Sequence, residues 1–191
     1  MIQKDQSIQL PTKFGNFVLH SYINESKEIF LAIAKGNVSK ENVSVRIHSS
    51  CVTSDIFGSL RCECGPQLEH ALSFIEKKGE GVVIYLFQEG RGIGLVNKLR
   101  AYKLQEEGMD TAQANIALGF PIDSRSYEVV PHILNDLGVL SIELMTNNPK
   151  KLEQLKSLNI NITKRLPIIV GHCDNNEKYL LTKKEKLGHM L

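Results

Sequence analysis

The sequence predicts an α/β protein that has a mixed sheet with flanking helices and an antiparallel N-terminal section. Three observations support this fold class. Two apolar strands joined by turn residues come first, strands and helices then alternate over the latter two thirds of the chain, and no repeat or long linker interrupts them. At 191 residues, we expect a single domain that spans residues 1–191.

The first third of the chain shows strand signals. After a start that we expect to be frayed, residues 15–22 and 28–35 are rich in apolar side chains and are separated by turn residues, which favours an antiparallel pair. Val43, Val45 and Ile47 then alternate with polar residues. This period of two predicts a half-buried strand that runs towards the first cysteine of the chain.

The rest of the chain alternates helices and strands. A helix is predicted from Pro66, which suits a first helical turn, to Gly79, which suits a helix end. The continuous apolar run over residues 82–87 predicts a buried strand. The remaining predicted elements are helices over 95–107 and 128–137, a strand over 141–145, a helix over 150–158, a strand near 160–170 and a helix from about 178.

The composition argues against several classes of function. With 23 basic and 21 acidic residues the net charge is +2, so we predict no nucleic-acid partner, and any anion site must be local. The start lacks the apolar segment of a signal peptide, and no uncharged apolar run of about 18 residues occurs, so we expect a cytoplasmic protein without a membrane span. Cys173 stands alone and is interpreted as a small buried hydrophobe.

The strongest candidate for a metal site is a cluster of three cysteines, Cys51, Cys62 and Cys64. A structural zinc ribbon needs four protein ligands, so three thiolates would leave one position of a tetrahedral zinc ion to water, which becomes acidic there. Such a site is hydrolytic. On spacing alone two alternatives stay open: three core cysteines, or a structural zinc completed by a histidine such as His48 or His70.

Two loops have the features of anion sites. Residues 88–94, QEGRGIG, follow a strand and precede a helix, where backbone N–H groups and the helix dipole favour phosphate, and Glu89 and Arg91 add charge. Residues 146–151, TNNPKK, combine a capped helix start with two lysines. The alternatives are a tight strand-to-helix turn and a capped helix with solvated lysines. Residues 123–125, DSR, are either a surface ion pair or a polar part of the site.

Several longer motifs occur in one order and carry a family resemblance. They are RIHSSC, SLRCECGPQLE, QEGRGIGL, NKLRAY, DT, LGF, TNNPKK and TKKEKLGHML. Together they resemble GTP cyclohydrolase II, the entry enzyme of riboflavin synthesis, over essentially the whole chain. The resemblance implies hydrolysis of GTP to 2,5-diamino-6-(5-phospho-ribosylamino)pyrimidin-4-one, formate and pyrophosphate by a homodimer. The chain has no room for the butanone-phosphate synthase domain that is sometimes fused in front of this enzyme, so we expect a monofunctional protein.

The resemblance also implies roles for individual residues. The three clustered cysteines would hold one zinc ion per chain, which activates the water that attacks C8 of guanine, and magnesium would bridge the triphosphate. Tyr102 would assist ring hydrolysis, Asp123 would accept a proton and Arg125 would attack the α-phosphate. Because a guanidinium stays protonated in proteins, charge stabilisation is the more ordinary task for Arg125. The residues that would contact GTP are Arg46, Ile47, His48, Ser49, Ser50, Gln67, Glu89, Gly90, Arg91, Thr111, Thr146 and Lys151.

Two positions depart from the family pattern. Ser50 stands where a glutamate is usual, and Phe87 stands where a polar residue is common. Neither change affects a metal ligand or a catalytic residue, so we predict that the activity is kept. The alternatives are a catalytically silent nucleotide-binding paralogue, a protein whose zinc is purely structural, and, for position 50 alone, a side chain that points to solvent.

Overall fold

The structure is a computed structural model that describes residues 2–190, apart from the side chains of residues 112, 178, 186 and 187. The first and last residues of the predicted domain, 1 and 191, lie outside the described range. The strands are β1 (Ile2–Thr12), β2 (Gly15–Asn24), β3 (Ile29–Lys35), β4 (Val43–Ser49), β5 (Gly81–Leu86), β6 (Ile142–Met145) and β7 (Ile162–Leu166). The helices are α1 (Val52–Asp55), α2 (Cys64–Lys78), α3 (Leu95–Glu106), α4 (Thr111–Ala117), α5 (Val129–Asp136), α6 (Pro149–Ser157) and α7 (Glu177–Leu187). Among residues 2–190, no helix has the length and apolar content needed to cross a membrane.

All seven strands join one sheet in the order β1-β2-β3-β5-β4-β6-β7. The pairs β1–β2, β2–β3 and β3–β5 are antiparallel, whereas β4 is parallel to both β5 and β6, and β6 is parallel to β7. The predicted α/β class with an antiparallel N-terminal section is therefore confirmed. Because β5, β4, β6 and β7 run the same way, their carboxyl ends meet at one edge, which is where open α/β sheets bind ligands.

The core lies on both faces of this sheet. Along β5, Val82 and Ile84 pack in one cluster with Ile133 of α5, while Val83 packs in the other cluster with Ile75 of α2. This division follows from the period of two of a strand, whose successive side chains point to opposite faces. The central strands are thus covered on both sides, as the continuous apolar run of β5 predicts.

The prediction that β4 is half-buried was wrong. Its first six residues are all buried, because the strand lies in the middle of the sheet between β5 and β6. Its polar side chains bond to helices instead of water: Ser44 Oγ accepts from Lys78 Nζ of α2 at 2.8 Å, and Arg46 Nη2 donates to Gln67 Oε1 of α2 at 2.7 Å. The alternation therefore marks two buried faces, one apolar and one polar.

The prediction of a frayed start was also wrong. Strand β1 pairs with β2 from Ile2 opposite Asn24 to Thr12 opposite Gly15, with one irregularity in the register. It is an edge strand whose side chains are mostly exposed, so backbone hydrogen bonds hold it without an apolar pattern to predict it. The short helices α1 and α4 were likewise not predicted, because one or two turns give too few residues for a helical period.

Candidate functional site

A cavity of about 480 Å³ lies at the carboxyl edge of the parallel strands. Its lining includes Cys51 after β4, Glu89 after β5 and Thr146 after β6. All the predicted site residues line it except Ile47, whose side chain is 0% exposed in the core. Ile47 acts through its backbone, since its carbonyl oxygen accepts a hydrogen bond from Lys151 Nζ at 2.9 Å. The predicted contact of Ile47 with substrate stays a prediction.

Three thiol groups meet in this cavity. The sulfur atoms of Cys51, Cys62 and Cys64 all lie within 4.8 Å of one another, and the Cys51 and Cys62 sulfurs are 3.6 Å apart. The cysteines are free, and the sulfurs are too distant for a disulfide, in which they would be about 2.05 Å apart. Tetrahedral zinc with Zn–S bonds of about 2.3 Å would place its sulfurs about 3.8 Å apart. The donor set therefore fits one zinc ion.

No histidine joins this cluster among residues 2–190, where the one group able to hold a metal consists of the three thiols. His48 Nε2 lies 3.2 Å from Asp55 Oδ2, and the same carboxylate oxygen accepts from Tyr85 Oη at 2.9 Å. His70 is exposed and stacks on Phe74 of the same helix. The described residues thus do not support a structural zinc completed by His48 or His70.

Helix α1 holds the two parts of the thiol cluster together. The backbone N–H of Cys51 donates to Asp55 Oδ2 at 3.0 Å, which fixes the turn after β4. On the other side, the N–H of Gly65 donates to Ser54 Oγ at 2.9 Å, so the start of α2 is bonded to α1. A Cβ at Gly65 would lie 2.7 Å from the Ser54 carbonyl oxygen, so only glycine allows this approach. The cluster is therefore preformed by the fold.

A buried lysine lies beside the thiols. Lys98 Nζ of α3 donates to Cys51 Sγ at 3.0 Å, to Glu89 Oε1 at 2.7 Å and to Thr53 Oγ1 at 3.0 Å. Hydrogen bonds from the two other thiols, together with this ammonium, lower the pKa of Cys51, while the pKa values of the two other thiols are raised. Burial alone would lower the pKa of Lys98, but its bonds to Glu89 and Cys51 outweigh burial and raise it. Lys98 is thus a fixed cation that stabilises the thiolate form of Cys51.

Arg46 and Gln67 form a buried polar pair in the cavity wall. Arg46 Nη1 donates to the Met145 carbonyl oxygen at 3.0 Å, and Nη2 donates to Gln67 Oε1 at 2.7 Å, while Nε is buried without a partner in residues 2–190. The amide nitrogen of Gln67 in turn lies 3.3 Å from Glu63 Oε1. Gln67, predicted to contact GTP, is thus held at both ends of its amide.

The cavity carries an excess of positive charge. Seven lysine and arginine side chains of residues 2–190 line it, against three carboxylates. The cations without a carboxylate partner in the described chain are Arg46, Arg91, Lys150 and Lys151. Burial, and after it the charges of Arg46 and Arg125, hold the pKa of Lys151 well below its usual range. A bound anion would relieve this repulsion, so the cavity has the local positive charge that an anion site needs.

Asp123 and Arg125 form a bidentate pair in the cavity wall. Arg125 Nε donates to Asp123 Oδ1 at 2.9 Å and Nη2 donates to Oδ2 at 2.5 Å. Burial alone would raise the pKa of Asp123, but the bonds and charge of Arg125 outweigh burial and lower it. Burial alone would lower the pKa of Arg125, but the bond to Asp123 outweighs burial and raises it. The reading of this pair as a part of the site is therefore favoured over a surface ion pair.

The two predicted anion loops differ in what they bring to the cavity. In residues 88–94 the backbone turns sharply, because Gly90 and Arg91 have φ values of 62° and 61°, and both residues line the cavity. Lys98, in the first turn of α3, lines it as well, and a phosphate site at this loop stays a prediction. The start of α6 also lines it, with Asn148 capping the helix by accepting from the Lys151 N–H at 3.4 Å.

The cavity lining includes further residues to which the sequence analysis gave no role, and two motifs held the signal for three of them. Lys98 belongs to the motif NKLRAY, of which only the tyrosine was assigned a role. Lys183 and His189 belong to the motif TKKEKLGHML, which carried no assignment. Asn147 and Tyr179 also line the cavity, and no pattern pointed to Tyr179.

The two departures from the family pattern lie in different places. Ser50 is 7% exposed and lines the cavity, so the alternative that it points to solvent was wrong. Phe87 is 59% exposed and does not line the cavity; its ring packs edge-on against Tyr85 at 5.4 Å between centroids. Only the change at position 50 is therefore positioned to affect the site.

For the zinc-dependent hydrolysis that the family resemblance implies, Ser50→Glu is expected to change formate turnover by no more than about 100-fold and to leave the zinc content unchanged. The added carboxylate would lie in a cavity with excess positive charge, which offsets the cost of its burial. Formate release and zinc per chain are the measurements, and Phe87→Gln is the matched control, expected to behave as the parent. An inactive parent made active by Ser50→Glu would identify the chain as a silent paralogue.

The fold and the cavity define an α/β protein with a candidate metal centre beside a cationic wall. The model of the family GTP cyclohydrolase II matches residues 3–167, and the chain belongs to this family, as its motifs predict.

Curated relatives agree with this family. The GTP cyclohydrolase-2 of Neisseria gonorrhoeae is 48% identical over 186 residues, which cover 97% of this chain and 94% of that protein. The riboflavin biosynthesis protein RibBA of Bacillus mycoides is 51% identical over 194 residues, which cover 100% of this chain and 49% of that protein. RibBA of Endomicrobium trichonymphae is 54% identical over 187 residues, which cover 97% of this chain and 46% of that protein. The chain thus spans about half the length of its RibBA relatives.

Proposed function

We propose that this protein hydrolyses GTP to 2,5-diamino-6-(5-phospho-ribosylamino)pyrimidin-4-one, formate and pyrophosphate, the first step of riboflavin biosynthesis. The observation that carries the proposal is that three thiols and four uncompensated cations line one cavity in a chain of this family. The thiols suit a metal that acts on the base, and the cations suit a polyphosphate. A nucleoside triphosphate offers both groups in one molecule.

The metal of the proposal is one zinc ion per chain, held by Cys51, Cys62 and Cys64. When bound, zinc supplies a Lewis acid that makes water a stronger nucleophile at neutral pH. The described residues offer three thiolate donors and no fourth protein ligand, which is the donor set of an open site. Lys98 balances part of the negative charge that the thiolates bring, since its ammonium donates to Cys51 Sγ.

The triphosphate would meet the cationic side of the cavity, with magnesium as a second cation bound to the phosphates. Arg125 keeps its charge, because its bonds to Asp123 hold its pKa high. Its task in the proposal is to stabilise negative charge on a phosphoryl group. Asp123, paired in two places and with a lowered pKa, is a weak proton acceptor as long as the pair is intact, so its first task is to orient Arg125.

In the proposal, Tyr102 acts on the base. Its ring lies 5.5 Å from Lys98 Nζ and 4.9 Å from the Arg61 guanidinium carbon, and it lines the same cavity as the thiols. Burial raises the pKa of Tyr102, more than the nearby Lys98 lowers it, so the phenol is protonated near neutral pH. A neutral phenol can donate a proton to a ring nitrogen or hold an opened ring by a hydrogen bond.

Tyr102→Phe is expected to bind GTP like the parent but to release formate about 100-fold more slowly, because only the hydroxyl is lost. Formate release and GTP affinity are measured together, and a formamide intermediate is sought among the products. Tyr22→Phe is the matched control: it removes another buried hydroxyl, which donates to Asp136 at 2.8 Å outside the cavity. Equal formate turnover in the Tyr102 variant and the parent would leave this hydroxyl without a catalytic role.

The proposed activity itself is tested by incubating the protein with GTP, zinc and magnesium while product absorbance, formate and pyrophosphate are recorded together. Equal amounts of formate and pyrophosphate are expected. Tight GTP binding with neither product would favour the silent nucleotide-binding paralogue. Zinc that stays bound without an exchangeable fourth ligand would favour a structural metal.

We also propose that the protein is a cytoplasmic homodimer and that residues 1–191 form one domain. Exposed apolar side chains support the dimer: Phe57 is 77% exposed and Leu99 49% exposed, and both line one shallow depression. Sedimentation equilibrium measures the mass in solution. A mass of 21.4 kDa at micromolar concentration would contradict the dimer.

A further inference from the structure

Part of the cavity wall lies beyond the family match. The match ends at residue 167, yet Tyr179, Lys183 and His189 line the cavity together with the predicted site residues. Tyr179 and Lys183 belong to α7, and His189 follows that helix directly. The chain therefore places a basic helix and a histidine against the site from a segment that neither the family match nor the sequence analysis assigned to it.

Backbone hydrogen bonds join the turn after α7 to the loop between β6 and α6. Gly188 ends the helix in a left-handed conformation with φ of 67°, and the His189 N–H donates to the Lys183 carbonyl oxygen at 3.0 Å. The Met190 N–H then donates to the Asn147 carbonyl oxygen at 2.9 Å. Asn147 is buried and also lines the cavity. These bonds hold His189 beside the start of α6, where Lys151 lies.

Lys183 is a half-buried cation with donors to spare. Its ammonium hydrogen-bonds the Glu63 carboxylate and lies 4.8 Å from the centre of the Tyr179 ring. An ammonium has three N–H donors, of which Glu63 takes one. Burial alone would lower the pKa of Lys183, but Tyr179 and Glu63 outweigh it, so the charge is kept. Lys183 thus brings a positive charge to a cavity that already carries an excess of cations.

His189 lies among cations. Burial, followed by the charges of Lys183, Arg91, Arg125 and Lys151, lowers the pKa of His189 to about 3. The imidazole is therefore neutral at physiological pH and can donate one N–H without adding to the repulsion. The same four cations would favour an anion bound beside His189.

We propose that α7 and the turn after it form one wall of a polyphosphate site, in which Lys183 and His189 contact the phosphate chain of the nucleotide. This inference rests on the proposed function and deepens it, because it assigns the phosphate end of the substrate to a wall of the cavity. Lys183 adds a charge-assisted hydrogen bond, and His189 adds a neutral one. Arg91, Arg125 and Lys151 line the same cavity.

The test is calorimetric titration of the full chain with inorganic tripolyphosphate, a probe that has the phosphates without the base. Lys183→Met is expected to weaken binding about tenfold or more, since a charged hydrogen bond is lost, and His189→Ala a few-fold. Lys183→Arg should retain most of the affinity. Lys184→Met is the matched control, because Lys184 is the adjacent lysine on α7 and is exposed. Equal affinities for Lys183→Met and Lys184→Met would overturn the proposal.

A second variant separates contact with phosphate from a structural effect through Glu63. If Lys183 only neutralises Glu63, the double variant Glu63→Gln, Lys183→Met should bind tripolyphosphate like the parent, and that result would overturn the proposal. If Lys183 contacts phosphate, the double variant stays weak. Zinc content is measured in each variant, because Glu63 lies between two of the cysteines.

Further ligands distinguish this inference from the proposed function. GTP and pyrophosphate should show the same dependence on Lys183, and guanosine should show none. A parent that binds tripolyphosphate through Lys183 but releases no formate from GTP would contradict the proposed function and leave the phosphate wall standing. If the parent releases formate but Lys183→Met binds GTP as tightly as the parent, only the proposed phosphate wall is contradicted.

Discussion

A double variant, Cys62→Ser with Cys64→Ser, is expected to lose bound zinc and formate release together. Serine hydroxyls stay neutral and do not replace thiolates as ligands, and one remaining thiolate cannot hold the ion. Formate release should fall by at least roughly 1,000-fold, because bulk water is far less acidic than water at a zinc centre. Zinc per chain is measured by elemental analysis, and formate by a coupled assay.

Cys173→Ser is the matched control for this variant. The Cys173 thiol lies 3.7 Å from the Leu60 carbonyl oxygen and is not part of the cluster, so zinc and activity should equal those of the parent. A folded Cys51→Ser variant refines the result: it should lose formate release first and can still release pyrophosphate, whereas Arg125→Ala should lose the phosphate chemistry. Full zinc stoichiometry in the double variant would refute the metal assignment.

Lys98→Met is expected to lower both stability and activity. The substitution leaves the Glu89 carboxylate, which is 8% exposed, without its cation, and an unpaired buried charge costs about 3 to 5 kcal/mol. It also removes the donor to Cys51 Sγ, so formate release should fall by about 10- to 100-fold. Denaturant unfolding and formate release are the two measurements.

Two further variants make the Lys98 result specific. Lys103→Met changes an exposed lysine of the same helix, whose carboxylate partners are 3.9 Å away, and should change the free energy of unfolding by no more than about 0.5 kcal/mol. Adding Glu89→Gln to Lys98→Met should recover much of the stability but not the activity, because the unpaired charge disappears while the bond to the thiolate stays lost. A Lys98→Met protein as stable as the parent would contradict the buried-pair argument.

Much of the fold follows from residue periodicity. The strand over residues 82–87 and the helix that ends at Gly79 were predicted because an apolar run and a helix stop are local signals. Strand β1 could not be predicted, since its stability comes from backbone pairing with β2 and not from its own side chains. Periodicity detects burial, and an edge strand has little of it.

The site was predictable where motifs follow parallel strands. Cys51, Glu89 and Thr146 each come directly after such a strand, and the sheet brings their loops to one edge. One feature could not be predicted in this way. The approach of Lys183 to the cavity depends on where α7 packs, which local spacing does not encode.

The two-faced burial of β4 sets limits on how this protein can vary. The strand contributes Val45 and Ile47 to the core on one face and Arg46 and His48 to the cavity on the other, with no residue between them to absorb a change. A substitution that alters the tilt of this strand moves the core and the cavity at once. Selection for tighter packing and selection for altered substrate preference therefore act on the same few positions. We expect a β4 variant that improves one of these two properties to lose part of the other.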